Sequence, residues 1–141
     1  MKHGSEKVLL YQFTDEARLE SISNLFKKLN IPVEVLPQEA WREKIGYLLG
    51  NPGFSTTKHE EESFAFNHEV MVMQGIRNKR LDQVLEAFRT AAIPPVLYKA
   101  IVTPFNTLWT LKKLCLTMEK EHGMVTQAKK WGKLNEQWYE R

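Results

Sequence analysis

Two stretches of the chain decide its fold: VLLYQFTDEARLESISNLFKKLNIPV (residues 8–33) and VMVMQGIRNKRLDQVLEAFRTAAIPP (residues 70–95). The second stretch repeats the first at an offset of 62 residues, the distance from Val8 to Val70. Seven residues recur at this offset: Val8, Gln12, Arg18, Leu19, Phe26, Ile31 and Pro32 return as Val70, Gln74, Arg80, Leu81, Phe88, Ile93 and Pro94. Each stretch runs from an apolar segment through a polar break and an amphipathic segment to an Ile-Pro pair. This pattern predicts one supersecondary unit that is used twice.

The first copy carries the signals of a strand, a helix and a second strand. Val8–Phe13 is an almost continuous apolar run, which is typical of a buried strand. Thr14 or Asp15 is suited to cap the following helix, whose apolar residues fall on one face. Pro32 prevents the helix from continuing, so Val33–Leu36 is predicted to be the second strand.

The second copy repeats these signals. Val70–Met73 predicts a buried strand, Asn78–Ala91 an amphipathic helix and Val96–Val102 a strand. A further helix is predicted after each copy, at Gln38–Leu49 and at Thr107–His122. For the last of these helices, Asn106 is the expected N-cap and Gly123 the expected stop.

The predicted order of elements is therefore βαβ–α–βαβ–α. The first and third strands are the most apolar, so we expect them at the centre of the sheet. The second strand contains Glu34 and has prolines at its ends, and the fourth contains Lys99, so both are expected at the edges. We predict an α+β fold in which tandem βαβ repeats form a four-stranded ferredoxin-like sheet with extra helices. The alternative is an open parallel α/β sheet with helices on both faces.

The length fits a single domain over residues 1–141. Within it we expect pseudo-repeats at residues 7–50 and 69–123, joined by a long loop at residues 51–67. After Gly123 a C-terminal tail, residues 125–141, carries Trp131, Leu134 and Trp138 at spacings of three and four. This spacing predicts a further short helix packed on the domain.

Composition limits the classes of function. The net charge is +3 and the pI is near 9.0, but acidic residues lie between most of the basic ones, which favours a solvated surface over a basic binding face. The single cysteine, Cys115, excludes an internal disulfide and a multi-cysteine metal cluster. The sequence has no apolar run of about 18 residues, so no membrane-spanning helix is predicted. Its first residues lack the apolar core of a signal peptide, and we expect a cytoplasmic protein.

One local group of residues has the chemistry of a binding site. Lys99, Thr103, Asn106, Trp109 and Thr110 gather where the fourth strand ends and the last helix begins. The N–H groups and dipole of a helix N-terminus favour anions, and Lys99 would add a positive charge. The alternative is a structural corner, in which Thr103 sets the turn, Asn106 caps the helix and Trp109 covers the sheet edge.

Other candidate sites are weaker. Gln74-Gly75 forms a second strand-to-helix turn, without a phosphate-loop or dinucleotide motif. The four histidines have no metal-ligand spacing, and there is no Gly-x-Ser-x-Gly motif. Cys115 lies among apolar residues of a predicted helix, where a free cysteine is usually packing material. We therefore assign no catalytic residue, no metal site and no cofactor.

The second copy also resembles a known family. The stretch Lys99-Ala100-Ile101-Val102-Thr103-Pro104-Phe105-Asn106, continued by Trp109-Thr110, follows the pattern Lys-Ala-x-x-Thr-Pro-x-Asn-x-x-Trp-Thr. In this it is similar to a small family of uncharacterised bacterial domains, filed as a domain of unknown function. The resemblance covers about residues 69–122 and is weaker in the first copy. It implies no activity, cofactor or catalytic residue.

The sequence thus favours a small binding or regulatory module, rather than an enzyme, that acts through a protein-binding or small-anion-binding surface. A homodimer would cover a face or edge of the sheet. One alternative is a nucleic-acid-contacting domain that uses the sheet face or the basic tail near Lys129 and Lys130. Another is a small enzyme centred on Lys99 and the Thr103–Thr110 corner.

Overall fold

The protein consists of two consecutive units with the same order of elements. The structure, a computed structural model, describes residues 5–56 and 64–129, without the side chains of 123–129. Its elements are β1 (Lys7–Tyr11), α1 (Glu16–Lys28), β2 (Val33–Val35), a 3-10 helix (Gln38–Arg42), α2 (Ile45–Leu48), β3 (Val70–Gln74), α3 (Lys79–Thr90), β4 (Tyr98–Ile101), a second 3-10 helix (Asn106–Leu108) and α4 (Leu111–Lys129). We call residues 5–56 the first unit and residues 64–129 the second unit.

The four strands form one mixed sheet in the order β2-β1-β3-β4. Within each unit the two strands are parallel neighbours, joined by a crossover helix. The units meet through their first strands, which run antiparallel with Leu9 opposite Val72. Antiparallel pairing of equivalent strands gives the molecule an approximate twofold axis through the centre of the sheet.

The α+β class is confirmed, and so is the central position of the first strand of each unit. The strand order differs from a ferredoxin-like sheet, in which the strands of each βαβ unit are separated by a strand of the other. The all-parallel alternative is wrong, because β1 and β3 are antiparallel. Burial on both faces identifies a central strand, but it does not specify which edge strand lies beside it.

Helices cover both faces of the sheet, and each face has its own apolar core. Val8 and Leu10 face α1 and α3, while Leu9 and Tyr11 face α2 and α4, as the alternation of a strand requires. The equivalent residues Phe26 and Phe88 meet between α1 and α3 at a ring distance of 6.0 Å. Helices therefore pack on both sheet faces in the described part of the chain, and nucleic-acid contact, the alternative function, stays a prediction. The basic tail from residue 130 onward lies outside the described residues.

Reciprocal ion pairs join the two units. Arg18 on α1 places its Nε 2.9 Å from both carboxylate oxygens of Glu69, which precedes β3. Arg80 on α3 is the counterpart of Arg18, and its Nε lies 2.8 Å from Glu6, which precedes β1. Hydrogen bonding to Glu6 raises the pKa of the Arg80 guanidinium. Each arginine therefore ties its own helix to the first strand of the other unit.

The segments ahead of α2 and α4 also pair with each other. Lys44 and Thr110 form an antiparallel bridge, with Ile45 N donating to Trp109 O and Leu111 N donating to Glu43 O, both at 2.9 Å. These extended segments interrupt the two predicted helices. Gln38–Leu49 is a 3-10 helix followed by α2, and the last helix begins at Leu111 rather than Thr107. Long-range backbone pairing prevails here over local helical periodicity.

The end of the last helix also differs from the prediction. Gly123 does not stop α4, which continues to Lys129 and so includes the first residues of the predicted tail. A glycine within a helix costs only about 1 kcal/mol, which neighbouring helix-forming residues offset. Residues 130–141 of the tail and 57–63 of the predicted loop lie outside the described residues. No helix in the described ranges is long and apolar enough to cross a membrane.

Candidate binding site at the sheet edge

The turn from β4 to α4 is held by a closed set of hydrogen bonds. Thr103 Oγ1 accepts from the backbone N–H groups of Phe105 at 3.2 Å and Asn106 at 3.0 Å. The Asn106 side chain accepts from Thr103 N at 2.8 Å and donates to Ile101 O at 3.0 Å. The Asn106 amide thus makes the pair of hydrogen bonds that a neighbouring strand would make, and it closes this end of the β4 edge.

Thr110, rather than Asn106, supports the start of α4. Its Oγ1 accepts from Lys113 N at 3.1 Å, which satisfies one of the unpaired donors in the first turn. Asn106 does not do this because it begins the second 3-10 helix, which ends before α4 starts. Thr110 itself borders a shallow surface groove, together with Lys112, Lys113 and Lys120.

Three of the five predicted site residues line one groove, which lies between β4 and α4. Lys99, Asn106 and Trp109 border this space of about 270 Å³, which we call the edge groove. Lys99 Nζ donates to Val96 O at 3.0 Å. Thr103 and Thr110 lie outside the edge groove. Thr103 borders a larger cavity on the other side of the turn.

The walls of the edge groove combine apolar and ionisable side chains. Tyr98 and Met118 supply apolar surface, and Glu121 and His122 supply polar groups. The ring of Tyr98 packs against His122 at 5.0 Å and against His68 at 4.8 Å. Sequence reasoning missed this cluster because the two histidines lie far apart in the chain and only the fold brings them together.

Three exposed apolar side chains lie in or next to the segments that line the edge groove. Leu97 lines the groove and is 50% exposed. Phe105 is 77% exposed and Leu108 is 59% exposed, and they flank the groove residues Asn106 and Trp109 in the chain. We call these three the apolar rim. The rim was not predicted, although its signal was present in the sequence: two large apolar residues in a segment that reads as a turn.

The remaining candidate chemistry is structural in the described part of the chain. Cys115 is completely buried, and burial, followed by the charge of Glu119, raises the pKa of its thiol to about 12. A thiol with that pKa is protonated and unreactive at neutral pH. Cys115 therefore acts as packing material, as predicted. No group of three or more histidine, cysteine, aspartate or glutamate residues in residues 5–56 and 64–129 is placed to hold a metal ion.

The fold and the edge groove define a small α+β module built from two similar units. A family model, the domain of unknown function DUF3783, matches residues 69–125, so the second unit is similar to that family. The resemblance to an uncharacterised domain family is thereby confirmed, whereas the specific motif and a bacterial source stay predictions. No curated protein and no solved structure shows significant similarity to the chain.

Proposed function

We propose that this protein is a protein-binding module and that its second unit holds the partner in the edge groove. The observation that carries this proposal is the apolar rim. Among the described residues, six large apolar side chains are exposed; Leu97 lines the groove, and Phe105 and Leu108 are chain neighbours of the lining residues Asn106 and Trp109. Clustered exposed apolar residues with polar neighbours are characteristic of protein–protein interaction sites.

The size of the groove favours a side chain of a partner over a free small molecule. Its volume of about 270 Å³ lies below the roughly 300 Å³ at which small-molecule pockets usually begin. A protein segment could place one large apolar side chain against Tyr98 and Met118 while neighbouring residues contact the rim. Buried anchors of this kind supply most of the affinity in protein interfaces.

The charges at the groove indicate how such a segment would be oriented. Lys99 lies on β4, and Glu121 and His122 lie on α4, so positive and negative groups flank the apolar floor. Charges at the border of an interface contribute more to orientation and association rate than to affinity. The proposed partner is therefore a segment with one apolar anchor and charged residues beside it.

The first unit lacks a comparable edge. Its edge strand β2 has only three residues, with Pro32 before it. Glu34 on β2 pairs with Lys7 at 3.0 Å, which places charge along the edge. Short, charged and proline-flanked edge strands discourage association. In this proposal the units are copies of one ancestral unit, and the second copy has specialised in binding.

The test is affinity selection of random peptides displayed on phage against the purified full-length protein. We expect enrichment of peptides with one conserved large apolar residue. Leu97→Glu and Phe105→Glu should weaken binding of a selected peptide at least tenfold, because each places a charge on the apolar rim. Both side chains are exposed, so folding should be unaffected. Isothermal titration calorimetry measures the affinities.

Val35→Glu is the matched control. Val35 lies on the edge strand of the first unit and is 50% exposed, as Leu97 is. We expect this variant to bind the selected peptide with wild-type affinity. An equal loss in Val35→Glu, or full affinity in both rim variants, would place the binding surface elsewhere and refute the proposal. A homodimer that used this edge would be lost in the same rim variants, and the molecular mass of each variant in solution would show it.

A further inference from the structure

A cavity larger than the edge groove lies at the end of the sheet opposite the ring cluster of His68, Tyr98 and His122. It measures about 1110 Å³ and lies at the carboxyl ends of the parallel strands β3 and β4. We call it the end cleft.

The end cleft exists because the two units end differently. At the opposite end of the sheet, the space is filled by the rings of Phe64, Phe66, His68 and Tyr98, which contact one another beside the long helix α4. The helix at the cleft end, α2, has only four residues and is followed by Gly50 with a φ of 79°. Chain reversal after this short helix leaves the sheet end uncovered.

The lining of the end cleft is mainly apolar with a few polar groups. Apolar surface comes from Pro32, Leu49, Pro52, Val102 and Pro104. The side chains of Asn51 and Gln74 are joined to each other at 2.9 Å across the floor. Thr107 also lines the cleft, and its Oγ1 is buried without a hydrogen-bond partner in the described chain. A buried hydroxyl without a partner is costly, and a polar ligand atom would satisfy it.

The charges of the end cleft identify the class of ligand. Three charged side chains line it: Glu6, Lys7 and Arg77. Glu6 is paired with Arg80, and Lys7 is paired with Glu34. Arg77 is exposed and has no ion-pair partner among residues 5–56 and 64–129. The guanidinium of Arg77 is therefore the uncompensated charge of a mainly apolar cavity.

We propose that the end cleft binds a small organic anion, with Arg77 holding its carboxylate or phosphate group and the proline-rich walls enclosing its apolar part. Arginine binds both anionic groups through paired N–H donors. The cavity volume, about 1110 Å³, is slightly above the range of about 300–1,000 Å³ that is usual for small-molecule sites, so the ligand need not fill it. This site is separated from the edge groove by the Thr103–Asn106 turn, and the two proposals can fail independently.

The test is an NMR titration of the ¹⁵N-labelled full-length protein with phenyl phosphate and, separately, phenylacetate. Both probes should shift the amide signals of Gly75, Arg77 and Thr103, and the one with the lower dissociation constant identifies the preferred anionic group. Benzyl alcohol and inorganic phosphate should each bind at least tenfold more weakly, because each supplies only one half of the recognition. Inorganic phosphate binding as tightly as phenyl phosphate would refute an organic ligand.

Two variants test the residues. Arg77→Gln should weaken binding of the preferred probe about tenfold, the value of one charge-assisted hydrogen bond. Arg89→Gln is the control, since Arg89 lies at the other end of α3 and is paired with Glu86. Pro104→Trp should abolish binding by filling the cleft from its exposed side. Unchanged affinity in Arg77→Gln, or probe-induced shifts confined to residues outside the cleft, would overturn the proposal.

Discussion

The two units are alike where they touch each other and different where they face solvent. Between the units, Arg18 and Arg80 make reciprocal ion pairs with Glu69 and Glu6. Gln12 donates to Phe66 O at 2.7 Å and its counterpart Gln74 donates to Ser5 O at 3.0 Å, again from each unit to the other. Away from this junction, α2 has four residues and α4 has nineteen. The residues that the units share hold the two units together, and the ends at which the units differ form the two cavities.

This difference separates structural from functional residues without reference to related sequences. A residue whose counterpart in the other unit makes the equivalent contact has a structural role in joining the units. Leu97 has the equally exposed counterpart Val35, but Phe105 and Arg77 have none of their own kind. Glu39 takes the place of Phe105 when Ile45 is aligned with Leu111, and Asp15 takes the place of Arg77 in the repeat. Residues outside the twofold pattern are therefore the better candidates for binding.

The strongest test of the comparison concerns the phenylalanines on the twofold axis. Phe26 and Phe88 are buried and pack edge to face. Phe26→Ala and Phe88→Ala should each lower the free energy of unfolding by about 3–5 kcal/mol, by nearly equal amounts, as measured by urea denaturation. In the double variant the loss should fall short of the sum by about 0.5–1.5 kcal/mol.

Leu116→Ala is the control for the phenylalanine variants. Leu116 is a large apolar residue on α4 that is 45% exposed, so its truncation should change stability by less than about 0.5 kcal/mol. Strict additivity of the Phe26 and Phe88 effects would contradict a direct contact between the units at this point.

The next test uses alkaline pH, to which the equivalent positions should respond differently. Cys115 lies four residues into α4, where the first unit has the buried Leu49. The thiol pKa is about 12 in the folded protein and 9.0 in its reference state, so the unfolded chain loses this proton first as pH rises. Stability should therefore be complete below pH 9 and fall towards pH 12, by about 2–3 kcal/mol at pH 11 from Cys115 alone.

Cys115→Ala should remove this contribution from the pH dependence, although it also lowers stability at neutral pH. Tyr11 acts in the same direction, because burial, then the charges of Cys115 and Glu39, raise its pKa to about 12. We expect the free energy of unfolding of Cys115→Ala to fall less steeply between pH 9 and 11 than that of the wild type. Urea denaturation at each pH measures it. An unchanged slope would show that the thiol does not titrate in this range.

The reciprocal ion pairs should contribute less to the free energy of unfolding than the buried phenylalanines do. Arg18→Ala and Arg80→Ala should each cost about 1–2 kcal/mol, since both pairs are partly exposed and each arginine also donates to a backbone carbonyl of another segment. Arg→Lys at either position should recover less than half of the loss, because lysine lacks the planar fork. If one alanine variant lost much stability and the other none, the two ion pairs would be equivalent in geometry but not in their contribution to stability.

Features of the fold that depend on neighbouring residues in the chain could be predicted from the sequence, and features that depend on distant residues could not. The apolar runs at Val8–Phe13 and Val70–Met73, and the repeated pattern around them, were sufficient to predict the central strands and the class of fold. The pairing of β1 with β2 could not be predicted, because strand order depends on long-range packing that a period-two pattern does not encode. The cap of α1 was predicted to be Thr14 or Asp15, and it is Asp15, because a cap and its helix are adjacent in the chain.

The candidate site was predicted in part for the same reason. Lys99, Asn106 and Trp109 are close in sequence, and the structure places them on one groove. Thr110 lies apart from them because a 3-10 helix that was not predicted separates it from β4, and Thr103 borders the end cleft instead. The end cleft combines segments as distant as Ser5 and Thr107, so only the fold could reveal it.

The smallest expected effect compares the two helix ends. Asn30 after α1 and Ala92 after α3 are counterparts, and both have left-handed backbones, with φ of 61° and 57°. Asparagine tolerates this conformation, whereas the Cβ of alanine is strained in it. Ala92→Gly should therefore raise the free energy of unfolding by about 0.5–1 kcal/mol, and Asn30→Gly should change it by less than about 0.5 kcal/mol. A shift of the urea midpoint at constant slope measures both. If Ala92→Gly destabilised the protein while Asn30→Gly did not, the helix ends would not share the backbone conformation that the twofold relation requires.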